Sequence, residues 1–209
     1  AALADGQSFT VRVGASEAKT VELAGDSSAA SIADAIRSTV GGVSSVTAEN
    51  AQATNFAGVT LTTADVGDAA NEVRETYTLT VGINGETQNL KFESSSETNG
   101  DTTVTAEMVR DEINSNSVLK AEGISASIVD GDLVIEQADG KNFTLAQTSG
   151  VEGPNGNSVT APDLTGLGVR DDADAAISGT VSFAGTVSFT SEDSVEVAGS
   201  DVASVGGAD

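Results

Sequence analysis

The side chains able to do chemistry in this chain are almost all carboxylates: 32 Asp and Glu stand against 9 Lys and Arg in 209 residues, a formal charge of −23, with no His and no Cys. Those absences remove the Ser-His-Asp triad, the thiol nucleophile, the disulfide and every imidazole or thiolate zinc site. Oxygen chemistry is what remains. Asp65-Val66-Gly67-Asp68, Asp130-Gly131-Asp132 and Asp171-Asp172-Ala173-Asp174 could offer hard oxygen ligands to Ca²⁺. None has the D-x-[DN]-x-[DN]-G-x₅-E spacing, and Asp beside Gly is what a tight turn asks for, because Asp bonds its own backbone and Gly takes positive φ. The three clusters therefore read as turns. Glycoside hydrolysis needs two carboxyls about 5 to 9 Å apart and a surface for the sugar. Acids this numerous meet the distance by chance, whereas aromatic residues are limited to 6 Phe and 1 Tyr. No residue is assigned a catalytic, cofactor-binding or metal-ligating role, and the expectation is a protein that is not an enzyme and holds no cofactor.

The basic residues argue the same way. Lys19, Lys91, Lys120 and Lys141 are scattered among acids, where solvated surface pairing is the default. Neither a Gly-x-Gly-x-x-Gly nor a Walker pattern is present, and a charge of −23 repels nucleic acid. Asn142-Phe143-Thr144 has the form of an N-glycosylation triplet. No run approaches the roughly 18 apolar residues of a membrane span, and Ala1-Ala2-Leu3-Ala4-Asp5 lacks the basic and apolar regions of a signal peptide.

The elements that must carry these residues form a repeat. Leu, Ile, Val and Phe make up 23% of the chain, just above the roughly 20% below which highly charged chains stay disordered. Phe9-Val11-Val13 and Tyr77-Leu79-Val81-Ile83 alternate at the period of a strand, each opening a hairpin; in the second, Asn84-Gly85 supplies the positive-φ pair of a type I′ turn. A helix follows in each copy, over 28–40 and 105–116. Ser28-x-x-x-Ile32-x-x-x-Ile36 matches Thr105-x-x-x-Val109-x-x-x-Ile113, a capping hydroxyl ahead of two apolar residues one turn apart. GVSSVTA from Gly42 parallels GISASIV from Gly123, and VTLTTADVG from Val59 parallels LVIEQADGKNF from Leu133. The unit is β-β-α-β-β twice over. Its last hairpin turns at Asp130-Gly131 in copy two and is expected to loop over Glu49 to Gly58 in copy one. Residues 149–165 hold both prolines and read as a linker. GTVSFAGTVSF from Gly179 and SVEVAG from Ser194 return to strand periodicity. The expected class is α+β with mostly antiparallel sheet, two repeat units and a C-terminal β-hairpin segment.

TYTLTVGINGETQNLKF, the helix ending DEINSN, and GISASIVDGDLVIEQADGKNFTL together resemble the "IN" repeat of bacterial flagellins and flagellar hook-associated proteins. Ile113-Asn114 and Gly123-Ile124-Ser125-Ala126 carry the pattern; copy one has Ile36-Arg37 in its place. DLTGLGVRDDADAAISGTVSFAGTVSF from Asp163 is similar to the segment by which flagellin outer domains return to the filament shaft. The resemblance implies the surface-exposed, variable outer domains of a flagellin, extracellular and exported without a cleaved signal peptide, that set filament surface properties, antigenicity and lateral contacts in motility. A flagellar cap or hook-associated protein, or an adhesin-like binding domain, is the alternative. Implied partners are other flagellin subunits through parts not in this chain, lateral outer-domain contacts and O-glycans, with no nucleic acid or membrane; the fragment alone is expected to be a monomer. The layout expected is an inner domain of 1–74 plus 166–209, a distal domain of 75–148 and a linker of 149–165. Ala1 to Asp5 and the segment after Val202 are expected to lie together, with the terminal strands paired to copy one.

Overall fold

The computed structural model describes residues 8–23, 28–64, 73–94, 101–152, 161–165, 167–170 and 176–199. In chain order these form strands β1 (Ser8–Val13) and β2 (Lys19–Glu22), helix α1 (Ala29–Thr39), and strands β3 (Ser45–Thr54), β4 (Phe56–Ala57), β5 (Val59–Leu61), β6 (Thr63–Ala64), β7 (Val73–Ile83), β8 (Glu86–Glu93) and β9 (Thr102–Val104). Helices α2 (Ala106–Ser115) and α3 (Ser117–Ala121) follow, then β10 (Ile124–Val129), β11 (Asp132–Gln137), β12 (Phe143–Glu152), β13 (Gly168–Val169), β14 (Val181–Phe183), β15 (Thr186–Thr190) and β16 (Val195–Ala198). Every register between paired strands given below is antiparallel, so the class is α+β with mostly antiparallel sheet, as the repeat implies.

Contacts divide the chain into two compact units, one drawn from Ala1–Ala51, Gln137–Asn142 and Phe183–Asp209, the other from Gln52–Glu136 and Phe143–Ser182. In the first unit the order β16-β1-β2 makes a three-stranded sheet. Alternation along β1 buries Phe9, Val11 and Val13, and with Val21, Leu23, Ile32, Ile36 and Val40 these form its core. Val187, Phe189, Val195 and Val197 from the end of the chain complete it from the side. Ser28 caps α1 by accepting from the Ser31 amide, and the helix lays Ala29, Ile32, Ala33 and Ile36 on the sheet.

In the second unit β7 is the central strand, paired with β12 from Ile83↔Phe143 to Arg74↔Glu152 and with β8 from Ile83↔Glu86 to Thr76↔Glu93. Asn84 and Gly85 take φ of 53° and 81°, and Asp130 and Gly131 take 54° and 98°, so both tight hairpins turn where positive φ is tolerated. Thr105 caps α2 through its hydroxyl, which accepts from the Met108 amide, and Val109 and Ile113 face inward. The two helices expected over 28–40 and 105–116 are thus present with the expected caps.

Four features depart from the sequence reading. Residues 49–58 do not loop: Glu49 continues in β3, and β5 pairs with β9 through Val59↔Val104 and Leu61↔Thr102 rather than folding back on β3. The physical reason is that ENAQATNFAG carries no Asn-Gly or Asp-Gly pair to reverse the chain, and β15 occupies the place beside β3, from Thr186↔Glu49 to Thr190↔Ser45. Residues 149–152 belong to β12 rather than to a linker. Residues 52–74 and 166–182 fall in the unit built around copy two, and Gln137–Asn142 falls in the other. Finally, α3 was not anticipated; Asn116 starts it by accepting from the amides of Val118 and Leu119.

The expected pairing of the terminal strands with copy one holds for β15 on β3 and for β16 on β1, where Thr10 faces Ala198 and Val13 faces Val195. β14 instead joins β12. Ala1 to Asp5 and the segment after Val202 lie outside the described residues. The outermost described residues are neighbours: a Cβ on Gly199 would sit 3.3 Å from the Phe9 Cα.

Candidate functional site

Of the three acidic clusters, Asp130-Gly131-Asp132 is the one within the described residues. It is the β10–β11 hairpin turn, exposed throughout, with Asp130 in the left-handed region. Asp65-Val66-Gly67-Asp68 and Asp171-Asp172-Ala173-Asp174 lie outside them. Among the described residues no group of three acidic side chains is arranged to hold a metal ion, and no carboxylate is buried. Among the described residues, three carboxyls are displaced from their ordinary range, each downward. Lys91 holds the Glu93 carboxyl low, hydrogen bonds from its own backbone amide and Thr105 hold Glu107 low, and the Thr165 hydroxyl and amide hold Asp163 low. A general acid for sugar chemistry requires the opposite displacement.

Arg12, Lys19, Arg37, Arg74, Lys91, Arg110 and Lys141 each form an ion pair at the surface. Lys91 lies 2.8 Å from Glu93 and also contacts Glu152, with Arg74 3.9 Å from Glu93, so one exposed face across β12, β7 and β8 carries a four-residue ion network. Those two carboxylates raise the Lys91 pKa above the usual ammonium range. Lys19 is 3.7 Å from Glu17 and Lys141 is 3.9 Å from Asp139. Lys141 and Asp139 also line, with Asp34 and Arg37, an open recess of about 420 Å³ in the first unit. Arg37 is already engaged there: it bonds the Val46 carbonyl at 2.7 Å and the Asp34 carboxylate at 2.5 Å. Asn142 of the triplet has its Oδ1 buried without a hydrogen-bond partner, and Thr144 donates to Gly82 O within the sheet.

The residues that carry the repeat pattern do define a site, and its work is structural. Asn114 pairs with the backbone of Ala126 in both directions, donating to its carbonyl at 2.8 Å and accepting from its amide at 2.9 Å. One side chain thereby locks the end of α2 to the strand that begins at Ile124, while Gly123, at φ 74°, makes the bend between them. Copy one reaches the same end differently, since Arg37 clamps the Val46 carbonyl and Gly42, at φ 82°, makes the bend.

A second amide was not foreseen from sequence. Gln147, on β12 and 8% exposed, accepts at Oε1 from the Tyr77 hydroxyl at 3.0 Å and the Val169 amide at 2.9 Å. Its Nε2 reaches the carbonyls of Leu167, Val169 and Ile177. Gly168, at φ 70°, comes so close that a Cβ would overlap Gln147 Oε1. Tyr77 packs edge-on to Phe56 and stacks on Phe92, ring centroids 6.1 Å apart in each pair. Three of the seven aromatic rings thus gather at one buried polar clasp. Burial pushes the Tyr77 phenol well above its ordinary range, offset in part by a backbone bond at Val169. Leu167, Gly168 and Val169 form the strap that this clasp holds.

Compared with protein-family models and with curated proteins, the chain finds no match.

Proposed function

We propose that the chain is a non-catalytic surface module of a bacterial flagellar filament, equivalent to the outer domains of a flagellin. Displayed outside the cell, it contributes surface charge, antigenicity and lateral contacts in motility, and it joins its neighbours through parts of the polypeptide other than these. The observation that carries this reading is the pairing of β1 with β16. A module inserted in a carrier polypeptide must leave and re-enter at one place, and antiparallel neighbours at the two ends of the described chain meet that need. Further support comes from the Asn114 lock, which gives the "IN" pattern a physical reason, and from a surface whose carboxylates are solvated in turns and on exposed strand faces.

The test is immunogold electron microscopy of cells that make the protein, with antibody raised against this chain. Label along the whole filament is expected. Label confined to the filament tip would replace this reading with the cap or hook-associated one, and absence of label from filaments would overturn both.

A further inference from the structure

The connection between β11 and β12, Gln137–Asn142, belongs by its contacts to the first unit, although both flanking strands lie almost wholly in the second. It is organised by one side chain. Gln137 is fully buried, and its Oε1 accepts from the amides of Asp139 at 3.0 Å and Lys141 at 2.5 Å. The turn so formed is received at three points. Gly140 O accepts from the Ala30 amide in the first turn of α1 at 3.3 Å, supplying one of the partners a helix start lacks. Buried Asn50 donates to Lys141 O at 2.6 Å and to Phe183 O at 3.2 Å, so one amide holds both this turn and the approach to β15. The backbones meet at distances only glycine permits. A Cβ on Gly140 would stand 2.7 Å from Ala48 Cβ and 2.9 Å from Glu49 N, and one on Gly185 would stand 2.6 Å from both Gly140 O and Glu49 O.

We infer that Gln137–Asn142 is a clip on which folding of the first unit depends: it ties α1, β3 and the approach to β15 together, and it is supplied by the chain of the second repeat. The first unit is therefore not an independent domain that repeat two merely decorates. Its helix and its terminal strands are held only once residues far along the chain have arrived, a closure of high sequence separation.

Hydrogen exchange read by mass spectrometry on the full chain tests this. Gly140→Val places a branched side chain where no atom fits, at φ 74°; Gln137→Leu keeps the volume and removes the turn's internal acceptor. Both variants should exchange at least about tenfold faster in peptides from 8–23 and 28–40, with 76–92 unchanged. Gly131→Ala is the matched control, also at positive φ but with nothing within 4 Å of its Cβ, and should leave 8–40 as in the parent. Acceleration confined to 137–142 would overturn the inference, as would equal acceleration of 8–40 and 76–92 in Gln137→Leu. Should Gly140→Val unfold the whole chain, Gln137→Leu decides alone.

Discussion

Asn114 and Gln147 each use a side-chain amide where regular backbone pairing stops, but their surroundings differ, and so do the consequences of losing them. Asn114 is exposed, so water replaces much of what Asn114→Ala removes. A loss of about 1 kcal/mol is expected, seen as a fall of about 2–4 °C in thermal unfolding followed by circular dichroism. Gln147 is buried and bonds the Tyr77 hydroxyl, the Val169 amide and three backbone carbonyls. Gln147→Ala should cost about 3–5 kcal/mol and shift the urea midpoint sharply downward. Tyr77, the single tyrosine, provides a pH signature for the same clasp. Its folded pKa is raised above the unfolded value near 10 by burial, so its contribution to stability is complete below that pH and is lost as pH rises beyond it. Phenolate absorbance should therefore appear together with loss of the far-ultraviolet signal on alkaline titration. A phenol that titrates near 10 while the fold persists would show the ring to be accessible.

At the scale of elements, the helices and tight turns were legible because their causes are local. Ser28 and Thr105 cap the helices they precede, and Ser28→Ala or Thr105→Ala should each lower stability by about 1 kcal/mol in urea unfolding. Asn84-Gly85 and Asp130-Gly131 adopt positive φ because neighbouring sequence needs a reversal there and these residue types permit it. Asn84→Val should destabilise by about 1–2 kcal/mol, since a branched side chain opposes the left-handed region, and it also removes the bond to Glu122. What was not legible has distant causes. Nothing within ENAQATNFAG says that β3 will run straight on; that depends on β15, more than a hundred residues later, arriving alongside. The pairing of β5 with β9 and the split of the terminal strands between β12 and β3 are decisions of the same kind. Gln147 stands in phase with Phe143 and Leu145 on the inward side of β12, yet an amide breaks the apolar alternation there, and only the strap it meets gives it partners. For the one acidic cluster within the described residues, local chemistry was sufficient: the hairpin at Asp130 is a turn because Asp and Gly make turns.

For the whole molecule, charge dominates behaviour in solution. At −23 the chain repels its own copies, most strongly where salt is low. Sedimentation at micromolar concentration and low ionic strength should show a monomer; a stable dimer there would mean that a specific interface outweighs the repulsion. Removing 77–148 would take away both the body of the second unit and Gln137–Asn142, so that shortened chain should melt without a cooperative transition in calorimetry. The pairing of β1 with β16 carries a mechanical consequence. Chain ends that leave the same end of two antiparallel strands transmit a pull as peeling, not as shear: the backbone bonds between Thr10 and Ala198, then those toward Val13 and Val195, take the load one after another instead of sharing it. Such a root gives way at low force and in small steps. For the inserted module proposed above, stretching applied through flanking polypeptide would thus be absorbed first as unzipping of this strand pair.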